Sequence, residues 1–112
     1  MKRFGMVIGV TEGTLDEYRQ LHKAVWPDVL KNISDNNIQN FSIYAQKMPD
    51  GKNYLFSYYE YVGSDYEKDM AAMAGDKTTQ EFWDLCRPCQ APFKECAEGQ
   101  WWTVMEEVFH HD

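Results

Sequence analysis

Three side chains near the start of the chain have the types and spacing for proton transfer beside a ring-shaped ligand. Tyr18, His22 and Trp26 follow one another at intervals of four residues, so they share one helical face if Pro27 leaves the helix continuous that far. Histidine, with an unperturbed pKa of about 6.5, donates and accepts protons near neutral pH. His22 is therefore the candidate catalytic residue, and Tyr18 could orient its ring or bind a hydroxyl. From spacing alone, a structural histidine is the alternative.

Two pairs of adjacent aromatic residues could form walls of a sugar pocket. Phe82-Trp83 falls in a helical region, and Trp101-Trp102 opens the last predicted strand. Aromatic rings can stack on the apolar face of a sugar while polar groups hold its hydroxyls, although core packing is the alternative use. Because adjacent strand residues face opposite sides, at most one of Trp101 and Trp102 is expected to face a given pocket.

Cysteine chemistry is a weaker possibility. Cys86 and Cys89 form a CxxC motif, with Cys96 further along, but a zinc site needs a second half. The motif closes a predicted helix, whereas a thioredoxin-like motif should open one. His110 and His111 are adjacent on a terminal strand, so their side chains should diverge. We expect no metal and no cofactor.

The elements that must position these residues follow the order βαββαβ. This order is typical of a ferredoxin-like α+β fold, an antiparallel sheet with helices on one face, formed by one domain over 1–112. Thr14 and Glu17 form a capping box at the start of the first helix, and Pro27 predicts a kink or a fresh helix start. Alternation predicts strands over 3–10, 38–46, 53–61 and about 101–109, and helical periodicity predicts helices over 15–33, 64–73 and 77–86.

The third predicted strand is aromatic on both of its faces. Helices can cover only one face of the sheet, so the other either lines a pocket or packs against another chain. A homodimer joined sheet to sheet would do both. The two faces are formed by Tyr54, Phe56, Tyr58 and Glu60 and by Leu55, Tyr59 and Tyr61.

Composition limits the partners. The formal net charge is −7, with the basic residues scattered among acidic ones, which argues against nucleic acid and anionic membranes as partners. No apolar run is long enough to cross a bilayer, and the apolar start is too short for a signal peptide. Three cysteines, an odd number, favour reduced thiols and a cytoplasmic location.

Three segments carry a resemblance to a known family: the helix motif from Tyr18 through His22 to Trp26-Pro27, the segment 80–83, and the ending 105–112. The chain resembles the L-rhamnose mutarotases in these segments and, more broadly, nearly from end to end. The resemblance implies a dimeric α+β barrel that interconverts the α and β anomers of a 6-deoxy sugar, an isomerase without a cofactor. It also implies that His22 is the proton donor, that Tyr18 binds substrate, and that Phe82 and Trp83 contact it.

Two departures from the family pattern bear on the sugar. Phe41 stands where the family commonly has a substrate-binding Tyr, and Tyr44 is no obvious substitute because it should face the other side of the strand. Phe82 replaces a Trp. L-rhamnose or a differently configured 6-deoxy sugar such as L-fucose is the expected substrate. The second proton-handling group is open, with inward carboxylates such as Glu60 or a bound water as candidates.

Two other functions remain open from sequence. One is a small monooxygenase-like enzyme of the same dimeric α+β architecture. The other is a non-catalytic sugar-binding domain, in which Phe41 would mark a lost activity. Fold alone does not separate these functions, because one architecture hosts many activities.

Overall fold

Residues 1–96 and 100–112, which the computed structural model describes, form five strands and four α-helices. The α+β class and the helical regions agree with the sequence-based expectation. No helix in this part of the chain has the length and apolar character needed to cross a membrane. The strands are β1 (Lys2–Val10), β2 (Ile38–Lys47), β3 (Asn53–Tyr61), β4 (Gln90–Ala91) and β5 (Thr103–Met105), and the helices are α1 (Leu15–Lys23), α2 (Pro27–Asp35), α3 (Tyr66–Ala74) and α4 (Lys77–Cys86).

The sheet has the order β2-β3-β1-β4, with β5 also paired to β1, and all its pairs are antiparallel. The strand predicted over 101–109 is therefore wrong in extent. One edge of β1 is divided between two short partners, since Gly9 and Val10 pair with β4 while Gly5 to Val7 pair with β5. Residues 106–112 form no further strand, and an ion pair of 3.0 Å between Arg3 and Glu107 links this end of the chain to β1.

Pro27 starts a new helix, which confirms one of the two expected outcomes. Helix α1 ends at Lys23, and Trp26 is extended (ψ 134°) because a residue that precedes proline is pushed out of the helical region. The capping box is not formed. Thr14 is the N-cap residue of α1, but its hydroxyl donates to the carbonyl of Thr11 at 2.8 Å and makes no bond to a helix N–H.

The hairpin between β2 and β3 has the predicted turn at 49–51. Gly51 has a φ of 82°, a left-handed conformation that glycine adopts without a steric cost. The Asp50 carboxylate accepts a hydrogen bond of 2.8 Å from the backbone N–H of Lys52, an interaction typical of Asx turns. This turn fixes the register of the two strands that form the floor of the site.

The helices cover one face of the sheet, and the two faces of β3 differ in burial as its alternation predicts. On the covered face Leu55, Ser57, Tyr59 and Tyr61 are all buried, and they pack below the helices. The intervening residues are only partly buried. The core between the sheet and the helices is formed by Ile8, Tyr18, Val29, Leu55, Phe82, Cys86 and Cys89.

Candidate active site

A cleft of about 1100 Å³ lies between the helices and the covered face of the sheet. Helices α1, α2 and α4 form one wall, and β2 and β3 form the other. The structure brings the predicted catalytic histidine and the predicted substrate-binding residues together in this one cleft. The predicted residues that line it are Tyr18, His22, Phe41, Phe82 and Trp83.

His22 has one ring nitrogen engaged and the other free. Its Nδ1 lies 3.0 Å from the backbone carbonyl of Tyr18, one turn earlier in α1. A carbonyl oxygen only accepts, so Nδ1 carries the hydrogen, and the neutral ring has its lone pair on Nε2. Nε2 has no hydrogen-bond partner in the described part of the chain. Burial lowers the pKa of His22 below 6.5, against the opposing effect of the Tyr18 carbonyl. At neutral pH His22 is therefore an uncharged imidazole with a basic nitrogen available.

Tyr18 forms the surface on which His22 rests. The two rings stack with their centroids 4.2 Å apart, and Tyr18 is only 4% exposed. Burial raises the pKa of the Tyr18 hydroxyl far above its usual value of 10, and the nearby Cys86 thiol adds to the rise. The hydroxyl therefore stays protonated at neutral pH and can act as a hydrogen-bond donor.

Phe82 joins two parts of the predicted motif that the helix break separates. It is buried in α4, and its ring meets His22 edge-on at 5.5 Å and Trp26 edge-on at 5.3 Å, with both ring pairs at 71°. Trp26 packs against the core although it lies outside α1. His22 and Trp26 therefore do not share one continuous helical face, but both contact Phe82.

Phe41 reaches the cleft from a bulge in β2. The register shifts between Gln39 and Ser42, and Asn40 has a left-handed φ of 53°. Phe41 is 43% exposed, and its ring packs on Tyr59 with centroids 5.3 Å apart. Tyr44 pairs with Phe56 on the other face, so it cannot replace a hydroxyl at position 41, as the alternation predicts.

Trp101 and Trp102 both line the cleft, which contradicts the expectation that at most one of them would. They lie in a bend before β5 and not within the strand, so the alternation of strand side chains does not apply to them. Trp102 also packs against the core. The cleft thus has two more tryptophans than the family resemblance implies.

The charged residues that line the described part of the cleft are all basic: Arg19, Lys23 and Arg87. Glu60, the carboxylate proposed from sequence, faces the opposite side of the sheet. There it accepts hydrogen bonds of 2.7 Å from the Tyr58 hydroxyl and from the amide of Asn40. Its place in β3 is fixed by alternation, so Glu60 cannot be the second proton-handling group.

Cys86 belongs to the cleft wall, and Cys89 is fully buried behind it. Both are free thiols. Burial raises the pKa of Cys86 to about 11, and the neighbouring Cys89 adds to this rise. Since the thiolate is the reactive form, Cys86 is a poor nucleophile at neutral pH.

Comparison with known proteins shows the family of this chain. The model of the L-rhamnose mutarotase family matches residues 3–111. This chain belongs to the L-rhamnose mutarotase family. An L-rhamnose mutarotase from Phocaeicola vulgatus is 32% identical over 118 residues, and one from Oceanobacillus iheyensis is 29% identical over 112 residues; each alignment covers both chains completely.

A solved L-rhamnose mutarotase from Formosa agariphila has the same fold. It superposes with a TM-score of 0.74 at 19% identity, and the match covers all of both chains. The mutarotase fold was therefore predictable from this sequence. The cleft of this chain also includes Ser57 and Gln90, which were not predicted from the sequence. Gln90 lies in the two-residue strand β4, which is too short for any periodicity that would signal the direction of its side chain.

Proposed function

We propose that this member of the mutarotase family interconverts the α and β anomers of L-rhamnose, and that L-fucose is a second sugar to be tested. The observation that carries the proposal is the state of His22. Its ring is uncharged, its Nδ1 is fixed by the Tyr18 carbonyl, and its Nε2 is free beside a cleft lined with aromatic rings. Spacing in the sequence could not separate this arrangement from a structural histidine.

The reaction breaks and re-forms one carbon–oxygen bond of the sugar ring and requires proton transfer at two oxygen atoms. The anomeric hydroxyl loses its proton, the bond between the anomeric carbon and the ring oxygen breaks, and the ring oxygen gains a proton. Rotation exposes the other face of the carbonyl group, and the reverse steps close the ring. Positioned general acids and bases contribute roughly 10²–10⁴-fold to such reactions.

In this scheme His22 Nε2 accepts the proton of the anomeric hydroxyl and, as the imidazolium ion, passes a proton through a bound water to the ring oxygen. Ring closure reverses both transfers. Tyr18 donates a hydrogen bond to a sugar oxygen, since its hydroxyl stays protonated. Phe82 and Trp83 offer apolar faces to the ring and the methyl group of a 6-deoxy sugar. Phe41 widens this apolar contact but supplies no hydrogen bond.

We also propose a homodimer joined through the uncovered face of the sheet. That face carries aromatic residues that the helices leave partly or largely exposed, and Tyr44 is 65% exposed. Apolar surface of this kind is a common feature of subunit interfaces. The residues of this face, called here the open face, are Val7, Tyr44, Tyr54, Phe56, Tyr58 and Met105.

A reducing, cytoplasmic location fits the three free thiols, two of which are buried beside each other near the cleft.

The test is saturation-transfer NMR on the anomeric protons of L-rhamnose and L-fucose, with the wild-type protein and a His22→Gln variant. We expect the wild-type protein to accelerate exchange between the anomers and the variant to lose roughly 10²–10⁴-fold of that acceleration. Glutamine keeps the size and polarity of the side chain but cannot transfer a proton near neutral pH.

His111→Gln is the matched control, because it makes the same change at an exposed site away from the cleft. It should exchange the anomers as fast as the wild-type protein. Circular dichroism should show that both variants are folded. Full activity in His22→Gln would refute the role of His22, and sugar binding without any exchange by the wild-type protein would identify a binding domain.

A further inference from the structure

One hydroxyl group at the floor of the cleft has no hydrogen-bond partner in the described residues, 1–96 and 100–112. Ser57, in the middle of β3, is only 5% exposed and lines the cleft between the helices and the sheet. Among these residues, Thr103 Oγ1 is the one side-chain polar atom that is both sealed from solvent and without a partner. The Ser57 oxygen is therefore accessible, and the space that it faces is the cleft.

The protein surrounds this hydroxyl with apolar and aromatic side chains. They are Met6 and Ile43 in the adjacent strands, and Leu55 and Tyr59 before and after Ser57 on the same face of β3. The Tyr59 hydroxyl is already hydrogen-bonded to the hydroxyl of Tyr66. A buried hydroxyl without a hydrogen bond is less favourable than an apolar group of the same size. The fold by itself therefore gains nothing from the Ser57 hydroxyl, whereas a ligand in the cleft can use it.

The place of Ser57 suits a hydroxyl group of a sugar. A serine hydroxyl both donates and accepts hydrogen bonds, and so does each hydroxyl of a sugar. A few polar groups in a mostly apolar pocket fix the orientation of the ligand. Ser57 belongs to the sheet wall and His22 to the helical wall, so a sugar between the walls meets both. Phe41, which packs on Tyr59 in the same wall, offers no hydroxyl.

We propose that Ser57 is a specificity-determining residue, whose hydroxyl binds one hydroxyl group of the sugar at the floor of the cleft. The inference rests on the function proposed above and deepens it. Ser57 binds and orients the sugar and takes no part in proton transfer, which belongs to His22 on the other wall. L-rhamnose and L-fucose differ in the directions of the hydroxyls at their second and fourth carbons. A hydroxyl fixed in the floor therefore favours one of the two sugars.

Ser57→Ala removes the hydroxyl and little else. We expect the affinity for the preferred sugar, measured by calorimetry, to fall roughly three- to tenfold, the effect of one hydrogen bond. In the exchange assay kcat/KM should fall by the same factor, while kcat changes less than about twofold, because the bond is present in both the bound sugar and the transition state. Without sugar, urea denaturation should show a variant at least as stable as the wild-type protein.

Monodeoxy derivatives of the preferred sugar identify the hydroxyl that Ser57 binds. Each lacks the hydroxyl at the second, the third or the fourth carbon. In the wild-type protein, the derivative without the partner hydroxyl should bind more weakly than the parent sugar. In Ser57→Ala that derivative and the parent should bind equally, because the same interaction is already lost.

Ser42→Ala is the matched control. Ser42 lies in β2 opposite Tyr58, so the same substitution falls on the other face of the same sheet. This variant should bind and exchange the sugar as the wild-type protein does.

The outcomes separate the two proposals. Unchanged affinity of Ser57→Ala for both sugars would overturn the role of Ser57 in an active protein, as would a lower stability without a lower affinity. Penalties for the three derivatives that are the same in the variant and the wild-type protein would also overturn it. A wild-type protein that binds a sugar without exchanging its anomers would refute the proposed function, and the affinity of Ser57→Ala would still decide the role of Ser57. Binding of neither sugar would refute both.

Discussion

At the residue scale, the site depends on one histidine whose charge state is set by its surroundings. His22 stacks on Tyr18, meets the edge of Phe82, and gives its Nδ1 hydrogen to a carbonyl of its own helix. Burial in these aromatic surroundings disfavours the imidazolium ion. In the proposed mechanism the ring therefore begins the reaction as a base, and it becomes the proton donor only after it has taken a proton from the sugar.

The pH dependence of exchange follows from this charge state. Because the pKa of His22 is lowered below 6.5, the basic form predominates at neutral pH and is lost as the pH falls through the lowered pKa. We expect kcat/KM to be constant near neutrality and to decline in acid with a midpoint below 6.5.

The measurement is the exchange rate by NMR from neutral to acidic pH, corrected at each pH for exchange without protein. The His22→Gln variant should show no such acid limb in the residual rate that it adds to the blank. A midpoint above 6.5 would mean that a charged neighbour stabilises the imidazolium form in the free protein, contrary to the effect of burial described here.

At the scale of elements, the site depends on short segments at the edge of the central strand. Gly9 lies opposite Ala91 in β4, the strand that carries Gln90. A Cβ atom placed on Gly9 would lie 2.9 Å from the backbone oxygen of Ala91, closer than such atoms approach in proteins. The absence of a side chain at Gly9 therefore lets β4 pack closely enough to hold Gln90 in the cleft.

We therefore expect Gly9→Ala to destabilise the protein and to impair the site together. The overlap is with backbone, which cannot rotate away, so the free energy of unfolding should fall by about 1–3 kcal/mol. The displaced β4 should also disturb the cleft wall, which Gln90 lines, and lower kcat. Urea denaturation and the exchange assay measure the two effects.

The control is Gly75→Ala at the end of α3. There φ is −76°, and an added Cβ would make only an ordinary contact of 3.4 Å with the Ala71 carbonyl oxygen. This variant should stay within about 1 kcal/mol of the wild-type stability and keep full activity. Equal stability of Gly9→Ala and Gly75→Ala would show that β4 yields to the added methyl group.

At the scale of the whole molecule, the sheet has two apolar faces and helices for only one of them. The covered face forms the core and the cleft, and the open face defined above remains partly exposed. A stable interface between two proteins typically buries about 800 Å² on each partner. A five-stranded sheet provides a continuous surface suited to a two-fold dimer, in which the same patch meets its copy.

Tyr44→Asp should dissociate such a dimer. Tyr44 is 65% exposed on the open face, so a carboxylate there costs the monomer little, but the interface would bury two charges, one from each subunit. Light scattering coupled to size exclusion should give twice the monomer mass for the wild-type protein and a shift toward the monomer for the variant.

Leu85→Asp places the same charge on an apolar residue of α4 that is 46% exposed on the helical side. It should leave the dimer intact. A wild-type protein with the mass of one chain at all concentrations would refute the dimer, and dissociation by both variants would place the interface elsewhere.

The sequence by itself determined the features that depend on local repetition. Strand alternation separated the two faces of β3, and proline chemistry marked the start of α2. Helical spacing placed Tyr18 and His22 on one turn. Motif resemblance then selected the family and the residues of the cleft. Each of these follows from neighbours a few positions apart, whose relative directions are set by backbone geometry.

Only the tertiary structure decided the features that depend on contacts between distant or irregular segments. It joined Trp26 to His22 through Phe82 of another helix, removed Glu60 from the site, and placed Trp101 against Gln90. The residues before β5 follow neither the helical nor the strand period, so no repeat predicts where their side chains point. Trp102 packs against the core that contains Ile8 of β1 and Tyr18 of α1, and such packing determines which of the many conformations of an irregular segment is stable.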